Sequence, residues 1–229
     1  MNGGKLYIVS TPIGNLEDIT LRAVRVLKEA DLIAAEDTRH TRILLNHYQI
    51  TTRLTSYHAF NEHRKVADLI EKVANGMTVA MVSDAGTPGI ADPGFLIVRE
   101  AVKAGIEPEI IPGVSSLTFA AVASGLPIDK FIFYGFLPVK SGRRGEAIKQ
   151  IAAENKTCII FESPHRMEKL LNEIAAGISA ETQVAVIREA TKVFEEVIRG
   201  KVSEVIAKTS GRKWKGECVL AVLPCPAFE

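Results

Sequence analysis

Short apolar, β-branched runs alternate with stretches of helical period along nearly the whole chain, and that alternation restricts the fold to α/β units built on mostly parallel sheets. The first run, Leu6-Tyr-Ile-Val9, is followed by the turn Thr11-Pro-Ile-Gly-Asn15. Then come Leu21, Val24, Leu27 and Ala30, whose spacing places them on one helical face. Asp18 or Thr20 suits the cap of that helix. Further strands are expected at 32–35, 54–57, 79–83 and 109–111, with helices near 38–47, 62–75 and 95–104. Five strands complete a first domain. A helix over 115–124 then meets Gly125-Leu-Pro127, which stops it and marks a hinge, so the expected domains are 1–125 and 126–229. The second half repeats the alternation, with strands at 131–134, 158–161, 184–188 and 219–223 and helices near 143–153, 165–176 and 201–209. Residues 194–200 alternate poorly, and pattern alone does not decide between strand and helix.

A length of 229 residues accommodates one large domain or two compact ones. With 28 Lys and Arg against 27 Asp and Glu, the near-neutral charge argues against strong nonspecific nucleic-acid binding and leaves room only for local basic patches. Cys158, Cys218 and Cys225 are odd in number and lack metal-ligand spacing, so neither a disulfide framework nor a metal requirement is expected, and a reducing cytoplasmic setting fits. Met1 to Ser10 lacks the basic flank and apolar stretch of a leader, and no apolar run approaches the roughly 20 residues that cross a bilayer. A soluble, unprocessed protein is expected.

Ligands in open α/β sheets bind at the carboxyl ends of strands, and the residues there are chemically rich. They are Ser10-Thr-Pro-Ile-Gly14, Glu36-Asp-Thr-Arg-His-Thr41, His58-Ala-Phe-Asn-Glu62, residues 83–94 and Pro112-Gly-Val-Ser-Ser116. The segment 83–94 has three glycines, two prolines and two aspartates in twelve residues, which makes a stiff loop whose backbone approaches a ligand closely. The other reading is a long surface connection. No Gly-Lys-Ser/Thr follows it, and Pro12-Ile-Gly14 is not a dinucleotide fingerprint, so phosphate cradling is disfavoured.

Eight segments in this order closely resemble one family. They are Val9-Ser-Thr-Pro-Ile-Gly-Asn-Leu-Glu-Asp-Ile-Thr20, Glu36-Asp-Thr-Arg-His-Thr41, Ser83-Asp-Ala-Gly-Thr-Pro-Gly-Ile-Ala-Asp-Pro-Gly94, Pro112-Gly-Val-Ser-Ser116, Phe133-Tyr-Gly-Phe-Leu-Pro138, Phe161-Glu-Ser-Pro-His-Arg166, Arg188-Glu-Ala-Thr-Lys192 and Gly216-Glu217. Over essentially the whole chain the sequence resembles the ribosomal RNA small subunit methyltransferase I family, within the tetrapyrrole-methylase-like class of S-adenosylmethionine-dependent methyltransferases. The resemblance implies two α/β domains of the tetrapyrrole methylase type with the cofactor in the cleft between them. The first domain would carry the substrate side and part of the cofactor site, the second the rest of that site. It implies methyl transfer to the ribose 2′-hydroxyl of a cytidine in the decoding region of small-subunit ribosomal RNA, and a homodimer. Longer members of the family carry a further helical segment after the Gly-Glu motif, where this sequence has Pro224 to Glu229; if that segment grips RNA, affinity and substrate choice depend on it.

By position, the resemblance assigns Pro12, Gly14, Asp84, Gly86, Thr87, Ser115 and Ser116 to S-adenosylmethionine, with Phe161, Ala190 and Gly216 from the second domain. Asp84 is suited to the cofactor's ammonium or ribose hydroxyls, or simply to capping its own turn. Methyl transfer needs in-line approach of the acceptor oxygen to about 3–3.5 Å, so positioning carries much of the rate. A base that accepts the hydroxyl proton adds roughly 10²–10⁴-fold. Glu36, Asp37, His58 and Glu189 all follow strands. Asp37 is favoured, with Arg39 orienting it or holding a phosphate; the plain alternative is a helix-terminal acid in a surface ion pair. His58 and His63 read as surface residues rather than metal ligands.

Candidate RNA contacts are Arg39, His40 and Arg42, then Arg53, then His63-Arg-Lys65, then Lys140, Arg143 and Arg144, and finally Arg212-Lys-Trp-Lys215, whose aromatic suits stacking on an unpaired base. Each cluster reads equally as a solvated face. Two alternatives stand beside RNA methylation. A small tetrapyrrole acceptor is disfavoured because corrin-biosynthesis relatives carry Gly-Pro-Gly-Asp and Gly-Asp-Pro loops where this sequence has Thr11-Pro-Ile-Gly14 and Ser83-Asp-Ala-Gly-Thr-Pro88. A non-catalytic ligand-binding module is the other.

Overall fold

A computed structural model describes residues 4–224; Cys225 and the residues after it lie outside this range. The chain divides into two units, Met1–Ser115 and Ser116–Glu229.

The first unit holds strands β1 (Leu6–Val9), β2 (Leu32–Ala35), β3 (Arg53–Ser56), β4 (Val79–Val82) and β5 (Glu109–Ile111). Its helices are α1 (Leu21–Glu29), α2 (Thr38–His47), α3 (Glu62–Ala74) and α4 (Phe95–Lys103). The strands pair in the order β3-β2-β4-β1-β5, every pair parallel. Parallel central strands are covered on both faces, which explains the unbroken apolar run of β4. Val79 and Met81 enter a core with Leu69 of α3 and Ile97 of α4, whereas Ala80 and Val82 enter another with Val26 and Leu27 of α1 and Leu45 of α2. Loops leaving β4 and its neighbours β1 and β2 therefore run to helices on opposite faces, the arrangement in which open sheets bind ligands. Thr20, not Asp18, caps α1: its hydroxyl accepts from the Ala23 N–H at 3.0 Å.

The second unit holds α5 (Ser116–Ser124), β6 (Phe131–Phe136), α6 (Ser141–Ala152), β7 (Thr157–Glu162), α7 (Pro164–Gly177), β8 (Gln183–Arg188), β9 (Glu196–Lys201), α8 (Val202–Thr209) and β10 (Cys218–Leu223). Its sheet order is β6-β7-β10-β8-β9. Only β6 and β7 pair in parallel; the other three pairs are antiparallel, so the expectation of mostly parallel pairing holds for the first sheet and not for this one. β10 is buried on both faces and alternates between them: Cys218, Leu220 and Val222 pack with α6, α7 and α8 residues such as Ile148, Leu170 and Val205, while Val219 and Ala221 pack with Ala120 and Ala121 of α5.

Packing of α5 also moves the boundary from residue 125 to Ser115/Ser116. The helix buries Ala120 and Ala121 on the second sheet, and the Arg199 guanidinium of β9 donates to the Ala123 and Ser124 carbonyls at its carboxyl end. The undecided segment is edge strand β9; half-exposed on both faces, it has no reason to alternate cleanly.

Candidate active site

Three loops of the first unit converge because β4, β1 and β5 are neighbours. Thr11 and Gly86 form an antiparallel bridge, with N–H to carbonyl distances of 2.9 and 3.0 Å. The Ser10 and Thr87 hydroxyls lie 2.9 Å apart. Gly86 has φ +72°, a backbone conformation that side-chain-bearing residues rarely adopt, so glycine is what lets the long loop turn against the first one. Gly113 sits so close to Ser10 that a Cβ would lie 2.8 Å from the serine Cβ. The structure thus gathers Pro12, which is buried, and Gly14, which is exposed, with Gly86 and Thr87 at one end of the sheet. Ser115 and Ser116 are half-buried where the first unit ends and α5 begins.

Beside them lies an acidic corner that follows from β2 and β4 being adjacent. The Asp84 carboxylate accepts from the Asp37 N–H at 2.9 Å, and the Asp84 N–H points to Glu36 Oε2 at 3.4 Å. Asp84 therefore reaches across to the neighbouring loop rather than capping only its own turn. Asp37 is the N-cap of α2: its Oδ1 accepts from the Arg39 N–H at 2.8 Å and Nε at 3.2 Å, and its Oδ2 from Nη2 at 2.8 Å. The Arg39 side chain leading these bonds holds the Asp37 carboxyl well below the usual carboxylate range. A carboxylate so committed is a weaker proton acceptor than a free one, which counts against the base role expected for Asp37. Glu36 behaves oppositely. Burial raises its carboxyl, and the Asp84 charge raises it further, against the lowering from the Asp84 N–H and His58. His58 is half-buried rather than a free surface residue: Nε2 meets the Asn61 amide at 3.1 Å, and Nδ1 is buried without a partner among the described residues.

In the second unit, Phe161 stacks edge-on to Phe133 and Phe136, at 4.8 and 5.8 Å between ring centres, and packs with Ala190 in the α5-side core. Glu189 and Thr191, either side of Ala190, both have positive φ, a strained arrangement for residues with a Cβ. Glu189 is fixed there by a backbone pair with Glu217, by the Glu217 N–H on its Oε1 at 2.9 Å, and by Lys192 at 3.0 Å. These bonds outweigh its burial and hold its carboxyl low, which counts against a base role. Gly216, at φ +81°, leaves the space in which the Glu189 carboxylate sits; a Cβ would lie 2.3 Å from Glu189 Cδ.

The basic candidates separate by environment. Arg42, Lys140 and Arg143 are exposed with no ion-pair partner among the described residues. Arg144 is not available to RNA. Its side chain is 2% exposed and joins Glu162 of β7 at 2.8 Å and Glu173 of α7 at 2.5 Å, while Arg166 closes on the other Glu162 oxygen at 2.6 Å. Helical position decides this: one residue on, the helix turns by about 100°, which takes Arg143 out to solvent and Arg144 into the core. Trp214 is likewise buried in the core of the second unit, with the Arg212 guanidinium 4.6 Å over its ring and Arg212 paired to Glu196, so it cannot stack on a base. What sequence reasoning missed is the Glu36–Asp84 contact, because it depends on strand order.

Among the described residues no group of His, Cys, Asp and Glu is arranged to hold a metal ion, and no helix is long and apolar enough to cross a membrane. The sequence profile of the tetrapyrrole (corrin/porphyrin) methylases matches residues 5–206. The ribosomal RNA small subunit methyltransferase I of Escherichia coli O157:H7 is 48% identical over 221 residues, covering 96% of this chain and 77% of that protein. That of Thermotoga maritima is 46% identical, covering 96% of this chain and 98% of that protein.

This chain belongs to the ribosomal RNA small subunit methyltransferase I family.

Its fold is shared more widely among methylases. Uroporphyrin-III C-methyltransferase from Thermus thermophilus superposes with a TM-score of 0.68 at 23% identity, covering 96% of this chain and 94% of that one. A diphthine synthase reaches 0.75 at 19%, covering 95% and 88%. Residues 5–206 of the profile match thus span both units of this family member.

Proposed function

We propose that this protein transfers the methyl group of S-adenosylmethionine to the ribose 2′-hydroxyl of a cytidine in small-subunit ribosomal RNA. The observation that carries the reading is the identity of 46–48% across 96% of the chain with proteins named for small-subunit ribosomal RNA methylation. Resemblance in the eight motifs supplies the finer terms, the ribose oxygen and the cytidine.

The residues present suit the cofactor. Gly86 and Gly113 keep two loops backbone-close, and the exposed Asp84 carboxylate offers an acceptor for an ammonium or ribose hydroxyls. Pro12, Gly14, Asp84, Gly86, Thr87 and Ser115 of the first unit are the residues proposed to hold it, as the resemblance implies; Ser116, Phe161, Ala190 and Gly216 are assigned to it by the resemblance alone. S-adenosylmethionine supplies an electrophilic methyl on sulfonium sulfur. Arg42, Lys140 and Arg143 meet RNA phosphates, and Arg39, tethered by Asp37, adds another cation at the mouth of β2. On the same reading the protein acts in the cytoplasm, and as a homodimer.

The test is transfer of radiolabelled methyl to small ribosomal subunits from a strain lacking the endogenous enzyme, with the modified nucleotide mapped. Label on a ribose 2′-oxygen of a decoding-region cytidine is expected. No transfer, with cofactor binding intact, overturns the reading.

A further inference from the structure

We infer that Glu36 is the general base of this methyl transfer, and that the concavity it lines receives the acceptor nucleotide. The inference rests on the functional reading above.

A surface concavity of about 420 Å³ opens within the first unit, lined by Glu36, Glu62 and His63, by Asp92, and by Phe95 and Arg99 of α4. Four carboxylates or imidazoles follow the strands in the right places, and their surroundings divide them. Asp37 has both oxygens on Arg39 and caps α2. Glu189 is locked by Lys192 and the Glu217 N–H. His58 spends Nε2 on Asn61, and its other nitrogen is buried. Glu36 has one long bond, from the Asp84 N–H at 3.4 Å, no ion-pair partner among the described residues, and a place in the wall of the concavity. Through Asp84 it is joined to the loop that carries Gly86 and Thr87, so base and cofactor loop are set by one contact.

The concavity also fits a nucleotide. Phe95 is 68% exposed and offers a stacking face, with the Arg99 guanidinium 5.6 Å from its ring centre as a cation for phosphate. Glu36 takes the 2′-hydroxyl proton on a carboxylate oxygen while the freed oxygen pair forms the O–C bond to the methyl and the C–S bonding pair leaves with sulfur as a neutral thioether. Burial keeps Glu36 more basic than an ordinary carboxylate, a better match to operating pH than Asp37. The titratable and charged groups around it are Asp84, His58, Glu62, His63, Asp92 and Arg99.

The experiment compares the full-length protein with Glu36→Gln and Asp37→Asn in single-turnover transfer to undermethylated small subunits from about pH 5 to 9, the range that brackets a raised carboxylate base. Affinities for S-adenosylhomocysteine and for subunits are measured alongside. For Glu36→Gln the expected result is a loss of about 10²–10⁴-fold in rate, with both affinities retained. The wild-type rate falls at acid pH as Glu36 protonates; that limb disappears in Glu36→Gln and persists in Asp37→Asn. A Glu36→Gln rate within about threefold of wild type overturns the assignment, as does loss of cofactor affinity that accounts for the rate. Ribose labelling by wild type together with an active Glu36→Gln rejects the base alone, whereas no ribose labelling by wild type rejects the functional reading and the assignment with it.

Discussion

Replacing Arg144 by Met separates a buried structural cation from an RNA-binding one. The guanidinium is 2% exposed, the Glu162 carboxylate it meets is 0% exposed, and Glu173 is 25% exposed. Methionine preserves most of the apolar stem but leaves two carboxylates without their shared cation. Removing one partner of a buried pair costs about 3–5 kcal/mol, because the remaining charge stays desolvated. Two features hold the cost near the lower end: Glu162 keeps Arg166 at 2.6 Å and the Ser163 N–H at 2.7 Å, and Glu173 is wet enough to rehydrate. A loss of about 3 kcal/mol, at about 2–4 °C per kcal/mol for a chain of this length, lowers Tm by roughly 6–12 °C. The adjacent Arg143→Met, on an exposed helix position, changes stability by less than about 0.5 kcal/mol. Chemical denaturation followed by far-ultraviolet dichroism measures both. The reasoning is refuted if Arg144→Met is as stable as Arg143→Met, or if it weakens RNA binding while the fold keeps its full stability.

Lys140→Ala with Arg143→Ala is expected to weaken binding to small subunits and to flatten the log–log salt dependence by about 0.7–0.9 per cation lost, with cofactor affinity unchanged; an unaltered salt slope removes these residues from the interface. Phe95→Ala removes the proposed stacking face, worth about 1–3 kcal/mol, and so raises KM for the RNA roughly 5–150-fold at little cost to the single-turnover rate. An unchanged KM places the nucleotide elsewhere. Gly216→Ala forces a Cβ toward Glu189 at positive φ and is expected to cost about 2–3 kcal/mol and to weaken binding of S-adenosylhomocysteine, read by denaturation and calorimetry. Wild-type values in both would show that Glu189 moves aside freely.

The alternation of apolar runs with helical period was enough to place every strand and α-helix of the first unit to within a residue or two and to narrow the α1 cap to Asp18 or Thr20, because burial period and capping chemistry are local properties written into adjacent residues. The loops that carry chemistry were legible for the same reason: they follow strands. Local pattern says nothing of which strand lies beside which or in what direction. Period-two burial is the same in either pairing sense, so the antiparallel pairing of β10 with β7 and β8, and the attachment of α5 to the second sheet, emerged only from packing. The side-chain roles that changed did so through partners distant in sequence. Arg144 reads as a surface cation until Glu162 and Glu173, 18 and 29 residues further on, enclose it. Burial raises the Glu36 carboxyl, and Glu36 meets Asp84, 48 residues away, because β4 lies next to β2. Sequence alone thus determined the family, the elements of the first unit and the candidate loops that follow its strands. Tertiary structure decided which charges are desolvated and by what, since desolvation and Coulomb energy depend on distances in space rather than along the chain.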